Sequence, residues 1–241
     1  MNQAQKQNNV KTESYTEHQA AYLAHALTID GSAEDNLSKS LASSKVDMNP
    51  HQVEAALFAL RSPLSQGVLL ADEVGLGKTI EASLIIAQKW AERHRNIILI
   101  VPAMLRNQWS QELLEKFNIP SYILESSSYN ADKKAGSLNP FDLKEDRVLI
   151  CSYEFASRKE IDLKSVNWDL VVFDEAHKLR NIWKKEGAKI AKRLQGALEG
   201  RKKILLSATP LQNSLLELYG LVSIIDPHFF GSVESFKAQS V

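Results

Sequence analysis

Val68-Leu69-Leu70-Ala71-Asp72-Glu73-Val74-Gly75-Leu76-Gly77-Lys78-Thr79 is the stretch on which the fold reading turns. Four apolar residues in a row suit a strand covered on both faces, since a strand with one wet face would alternate. Glycines follow, and from Lys78 to about residue 93 the pattern is helical. A strand, a glycine loop and a helix start in that order build an anion site. Backbone N–H groups and the positive helix end face a phosphate, Lys78 adds a point charge, and the Thr79 hydroxyl can ligate Mg²⁺. Gly75 and Gly77 allow close backbone approach. The generic phosphate-loop pattern wants Gly where this chain has Asp72, so a loop that merely contains Gly-Lys-Thr stays open as the alternative.

Outward from this stretch, short apolar runs alternate with helical patterns. Residues 97–101, 148–151, 170–173 and 204–206 read as buried strands, and 122–124 as a weaker one. Helical segments fall near 78–93, 104–117, 186–198 and 211–225. This order predicts an α/β fold, a mainly parallel sheet with right-handed crossovers and helices on both faces. Asn49 before Pro50 is a helix start, with Val53, Ala56, Leu57 and Leu60 as its apolar face. Residues 126–147, with their Ser, Asn, Lys and Gly, read as an exposed loop. Residues 1–47 read as a polar extension carrying one docking helix through Tyr22, Leu23, Ala26 and Leu27, and residues 48–241 as the compact domain.

Lys plus Arg equals Asp plus Glu, 29 each, so no long-range basic field points to nucleic acid and any such contact must be local. Cys151, the single cysteine, sits in an apolar run; it reads as a core residue and suits a reducing cytoplasm. One cysteine and six scattered histidines give no zinc motif. The start lacks a signal-peptide pattern, and the longest apolar run, 97–105, is too short to span a bilayer, so a cytoplasmic protein without a membrane partner is expected.

Two further motifs follow strands. Asp174-Glu175-Ala176-His177 puts two carboxylates at a strand's C-terminal end, where open α/β sheets place their ligand crevice. There Asp174 would hold Mg²⁺ and Glu175 would polarise a water, although adjacent acids also occur on solvated surfaces. Ser207-Ala208-Thr209-Pro210-Leu211-Gln212-Asn213 offers hydroxyls that could sense phosphate state or simply cap a helix.

Taken together, residues 72–79, 174–177 and 207–219 resemble the Swi/Snf-type branch of helicase superfamily two, which is DEAD/DEAH-box-like. The wording is most similar to bacterial members, among them an ATPase that recycles RNA polymerase and restriction or defence translocases. The resemblance covers roughly residues 49–230 and implies a RecA-like P-loop NTPase lobe that uses ATP and Mg²⁺. It implies that residues 72–79 cradle the nucleotide and that Lys78, Asp174 and Glu175 do the chemistry. Thr79 and Asp174 would hold Mg²⁺, Asp174 directly or through water. Gln52 would read adenine, although without the resemblance it is an ordinary helix-surface amide. The segment 102–109 would contact the DNA backbone through Arg106 and Gln108, with a solvated arginine as the alternative. Ser152-Tyr153-Glu154 would lie near nucleic acid, and His177, Ser207 and Thr209 would couple ATP state to DNA grip.

The implied function is translocation on duplex DNA or remodelling of protein–DNA complexes. A strand-separating helicase, a restriction-type motor subunit, or a nucleotide-binding module with little turnover are the rivals. No second lobe is legible before Val241; Arg180, Arg193 and Arg201 read as surface residues of the first. A second RecA-like lobe is expected from the full-length protein or in trans, and the isolated chain is expected to turn ATP over poorly.

Overall fold

The computed structural model describes residues 49–61, 66–71, 77–143, 145–184, 187–209 and 214–239. The extension expected over residues 1–47, loop residues 72–76 and residues 210–213 of the third motif lie outside them.

In chain order the elements are α1 (Pro50–Arg61), β1 (Gly67–Leu70), α2 (Lys78–Ala91), β2 (Ile97–Val101), α3 (Arg106–Phe117), β3 (Ser121–Ile123), α4 (Ser126–Lys134) and β4 (Val148–Ser152). Then come α5 (Tyr153–Arg158), α6 (Glu160–Lys164), β5 (Leu170–Phe173), α7 (Lys189–Ala197), β6 (Lys203–Leu206), α8 (Leu215–Ile225) and α9 (Val233–Gln239). Single 3₁₀ turns at Ala103–Leu105 and Ala176–Leu179 follow β2 and β5. The six strands form one sheet in the order β1-β6-β5-β2-β4-β3, and every neighbouring pair is parallel.

The unbroken apolar runs are explained by the two cores. Ile97, Leu99 and Val101 of β2 pack with Ala56, Leu84, Ile86 and Leu113 on the face covered by α1, α2 and α3. Ile98 and Ile100 pack with Phe155, Leu163, Leu194 and Leu221 on the opposite face. With both faces dry, no position of β2, β4 or β5 is left for a polar alternation.

Three expectations need correction. Residues 126–147 are not simply an exposed loop: α4 occupies 126–134, and Tyr129 and Phe141 are buried in the core. Its start is fixed by a reciprocal capping box between Glu125 and Ser128. The buried face of α1 is Gln52, Ala56 and Ala59, whereas Val53, Leu57 and Leu60 are half-buried. Arg180 is not a surface residue. Its side chain keeps 18% of its exposure, and its Nε lies 3.5 Å from Oε1 of the buried Glu217 on α8. That contact is close because Gly220 lacks a side chain; a Cβ there would sit 1.9 Å from the Arg180 carbonyl oxygen. The turn after β5 is thereby clamped to α8.

Candidate functional site

The order β1-β6-β5 makes three motif-bearing strands neighbours, and parallel pairing sends all their C-terminal ends to the same edge. Main-chain bonds extend the pairing into the motifs: the Ser207 N–H donates to the Leu70 carbonyl at 3.0 Å, and the Asp174 N–H donates to the Ile100 carbonyl at 3.1 Å. Motifs about a hundred residues apart in sequence are brought together by this register.

Gly77 has φ 91° and ψ 33°, the left-handed region, and its carbonyl accepts from the N–H groups of Ile80 at 2.8 Å and Glu81 at 3.2 Å, which starts α2. The N-cap residue is glycine, which has no side chain to offer as a cap, and the positive end of α2 lines a cleft. The cleft holds about 370 Å³ and is lined by Gly77, Lys78, Thr79, Asp174, Glu175 and Ala208. Gln108, Trp109, Glu112 and Lys116 of α3 line it as well.

Gln52 is 5% exposed, which removes its reading as a surface amide. Its Oε1 accepts from the Asn49 N–H at 3.1 Å, a capping contact at the start of α1, and its Nε2 lies where a Cβ on Gly77 would be only 2.1 Å away. The glutamine is therefore packed directly on the last glycine of the loop.

Asp174 is held at three points. Its Oδ2 accepts from the Trp109 indole at 2.7 Å, its Oδ1 from the Glu175 N–H at 2.8 Å, and its carbonyl from the Tyr153 hydroxyl at 2.6 Å. Burial pushes the Asp174 carboxyl above its ordinary range; the Trp109 and Glu175 donors and the Lys78 charge oppose this, while the Glu175 charge adds to it. Glu175 itself sits at φ 53° and ψ 47°. That is uncommon for a side-chain-bearing residue and costs about 1–2 kcal/mol. His177 Nδ1 is 3.0 Å from Glu175 Oε2, within ion-pair distance but without hydrogen-bond alignment.

Ser207 is buried, and its Oγ accepts from the Thr209 N–H at 3.3 Å; Thr209 is exposed. Neither hydroxyl residue caps α8, whose first turn follows Ser214. Arg106 is committed internally: Nη1 is 2.9 Å from Glu125 Oε2, and Nε donates to the Ala103 carbonyl at 3.0 Å. The Ser127 hydroxyl and Arg106 hold the Glu125 carboxyl below its usual range. Gln108, expected with Arg106 to contact nucleic acid, is exposed, lines the cleft and donates to Glu112 at 3.0 Å. Trp109 and Tyr153 are the site residues that sequence reading missed. Each belongs to a segment read as lying near nucleic acid, and each turns its polar atom to Asp174.

The sequence model of the SNF2-related domain matches residues 10–241. The chain is 34% identical over 207 residues to the RNA polymerase-associated protein RapA of Serratia proteamaculans, and 35% identical over 201 residues to that of Pectobacterium atrosepticum. Each match covers 81% of this chain and 20% of the relative, so the chain spans about a fifth of the length of these relatives. Among solved structures, the Sulfolobus solfataricus SWI2/SNF2 ATPase core in complex with dsDNA superposes with a TM-score of 0.66 at 23% identity, covering 81% of this chain and 39% of that one. The same organism's SWI2/SNF2 ATPase core domain gives 0.64 at 22% identity over 81% and 38%. The likeness to both is a shared fold.

Proposed function

The chain belongs to the SNF2-related domain family, and from that membership we propose that it is the first, ATP-gripping RecA-like lobe of a DNA-dependent motor ATPase. The observation that carries the proposal is the meeting of Lys78, Thr79, Asp174 and Glu175 on one cleft at the start of α2. Phosphoryl transfer needs little covalent chemistry from a protein, only positioning and charge, and these residue types supply both.

The donor set fits Mg·ATP. Lys78 and the start of α2 would bind the terminal phosphates, with loop residues 72–76 completing the cradle, and Gln52 would read the adenine from beside Gly77. Thr79 and Asp174, the latter directly or through water, would hold the metal; Mg²⁺ bound there would neutralise charge on the phosphoryl oxygens. Glu175 would orient the attacking water. His177, 3.0 Å from Glu175, together with Ser207 and Thr209 on the neighbouring strand end, would report nucleotide state to the rest of the motor. Gln108, exposed at the edge of the same cleft, would contact the DNA backbone. Arg106 would meet a DNA phosphate by exchanging its Glu125 partner for it.

Duplex DNA is the proposed track, supported by family membership and by the dsDNA-bound core from Sulfolobus solfataricus. Residues 48–241 would form the ATP-binding domain and residues 1–47 an appended segment. A second RecA-like lobe, supplied by a longer protein or in trans, would complete the site with an arginine. RNA polymerase is a candidate partner because the similar RapA proteins are associated with it by name.

The test is ATP hydrolysis by the chain with and without duplex DNA, beside a nucleotide-binding titration and a Glu175→Gln control. DNA-stimulated turnover that is lost in the control is the result expected of a site completed in trans. Mg·ATP binding without turnover is expected of the gripping lobe by itself. Absence of nucleotide binding would overturn the assignment.

A further inference from the structure

Trp109 is 2% exposed on the inner face of α3, in line with the buried Leu113 and Phe117. For filling that core a phenylalanine would serve as well. The indole differs by carrying one N–H, and a buried indole N–H costs free energy unless it finds an acceptor. Here the acceptor is the Asp174 carboxylate at 2.7 Å, just past the end of β5 and 65 residues away in sequence.

An ionised carboxylate offers roughly four acceptor positions on its two oxygens. In Asp174 one position on Oδ2 is taken by Trp109 and one on Oδ1 by the Glu175 main chain, while Tyr153 fixes the Asp174 carbonyl. Two donors on opposite oxygens stop the carboxylate from rotating about its terminal bond. They also decide which lone pairs point into the cleft beside Thr79. We infer that Trp109 is a positioning residue: its indole N–H orients Asp174 so that the remaining carboxylate lone pairs face the divalent cation. This rests on the reading of Asp174 as a metal-holding carboxylate. Because α3 also supplies the cleft wall through Gln108, Glu112 and Lys116, a displacement of this helix is transmitted directly to that carboxylate.

The experiment measures ATP binding as a function of Mg²⁺ for the wild-type chain, Trp109→Phe, Asp174→Asn and the double variant. Donors that orient metal ligands are worth on the order of 10-fold in metal affinity. Trp109→Phe should therefore raise the half-saturating Mg²⁺ about tenfold while leaving Mg²⁺-free nucleotide affinity within about twofold. In the Asp174→Asn background the same change should add nothing, which a purely packing role for Trp109 would not predict. An unaltered Mg²⁺ dependence in Trp109→Phe, or an equal loss in both backgrounds, overturns the inference while leaving Asp174 in place. An unaltered dependence in Asp174→Asn overturns the metal-ligand reading and the inference with it.

A second measurement does not need the variant to fold. With Mn²⁺ and ATP, one of the four tryptophan indole N–H resonances should broaden well before the other three. Uniform broadening counts against Trp109 lying next to the cation.

Discussion

Lys203 stands inside β6 with 1% of its surface exposed, and its amine donates to the carbonyls of Arg201 at 3.2 Å and Ile225 at 3.3 Å. Burial lowers its pKa to about 8, with the Asp226 charge pulling the other way. In the unfolded chain lysine keeps its proton to about pH 10.4. Below pH 8 both states are charged and the fold bears the cost of a buried ammonium. Between about 8 and 10 the native state has released a proton that the unfolded state still holds, so stability from this group rises with pH. Lys202 is lowered as well and acts in the same direction, whereas Tyr129, pushed up to about 12 by burial and by its bond to Asp162, withdraws stability above pH 10. Urea unfolding of wild type and Lys203→Met should isolate the group: between pH 7.5 and 9.5 the difference should move in favour of the wild type. A difference independent of pH would show that Lys203 titrates normally. Residue roles of this kind are poorly legible in sequence. Lys203 begins an apolar run and Gln52 sits in a helix start, both ordinary surface choices, and what buries them comes from elsewhere in the chain. That Lys78, Asp174 and Glu175 would share one cleft was legible because strand-end motifs carry their own context.

At the scale of elements, legibility followed the type of signal. Strands β2, β4 and β5 were found within a residue of their ends because burial on both faces leaves an unbroken apolar run. Helix α4 was missed because its capping box runs in reverse, with Glu125 at the cap and Ser128 three residues on, where the common order is Ser first. Close approach between elements is equally silent in sequence, and two glycines separate it from propensity. Gly220→Ala in α8 puts a methyl 1.9 Å from the Arg180 backbone, so the helix must lift from the turn that carries Glu175 and His177. Overpacking of this kind costs about 1–3 kcal/mol, which outweighs the roughly 1 kcal/mol by which alanine favours a helix. Gly196→Ala in α7, where among the described residues no atom beyond its chain neighbours and the helix's own backbone lies within 4 Å of the added carbon, should instead stabilise by up to about 1 kcal/mol. Equal urea midpoints for the two variants would mean that α8 does not rest on that turn.

For the whole molecule, alternation of strands and helices predicted a parallel sheet but not its order, because the pairs β1-β6 and β2-β5 join segments that periodicity cannot relate. That order is what makes the site: it sets the ends of β1, β6 and β5 side by side and builds both cores on the same strands. A ligand on this edge touches residues that exist together only when the sheet is closed, so it binds the native state and not the unfolded chain. Mass action then stabilises the fold by about 2.7 kcal/mol at one hundred times the Kd. Mg·ATP should therefore raise the thermal midpoint in a concentration-dependent way, by several degrees for a domain of this size. Lys78→Ala should lose most of the shift while melting at nearly the wild-type temperature without nucleotide, since Lys78 lies at the start of α2 and is only half-buried. A shift equally large in Lys78→Ala would place the nucleotide elsewhere on the molecule, and the junction of the three strand ends would lose its claim to be the phosphate site.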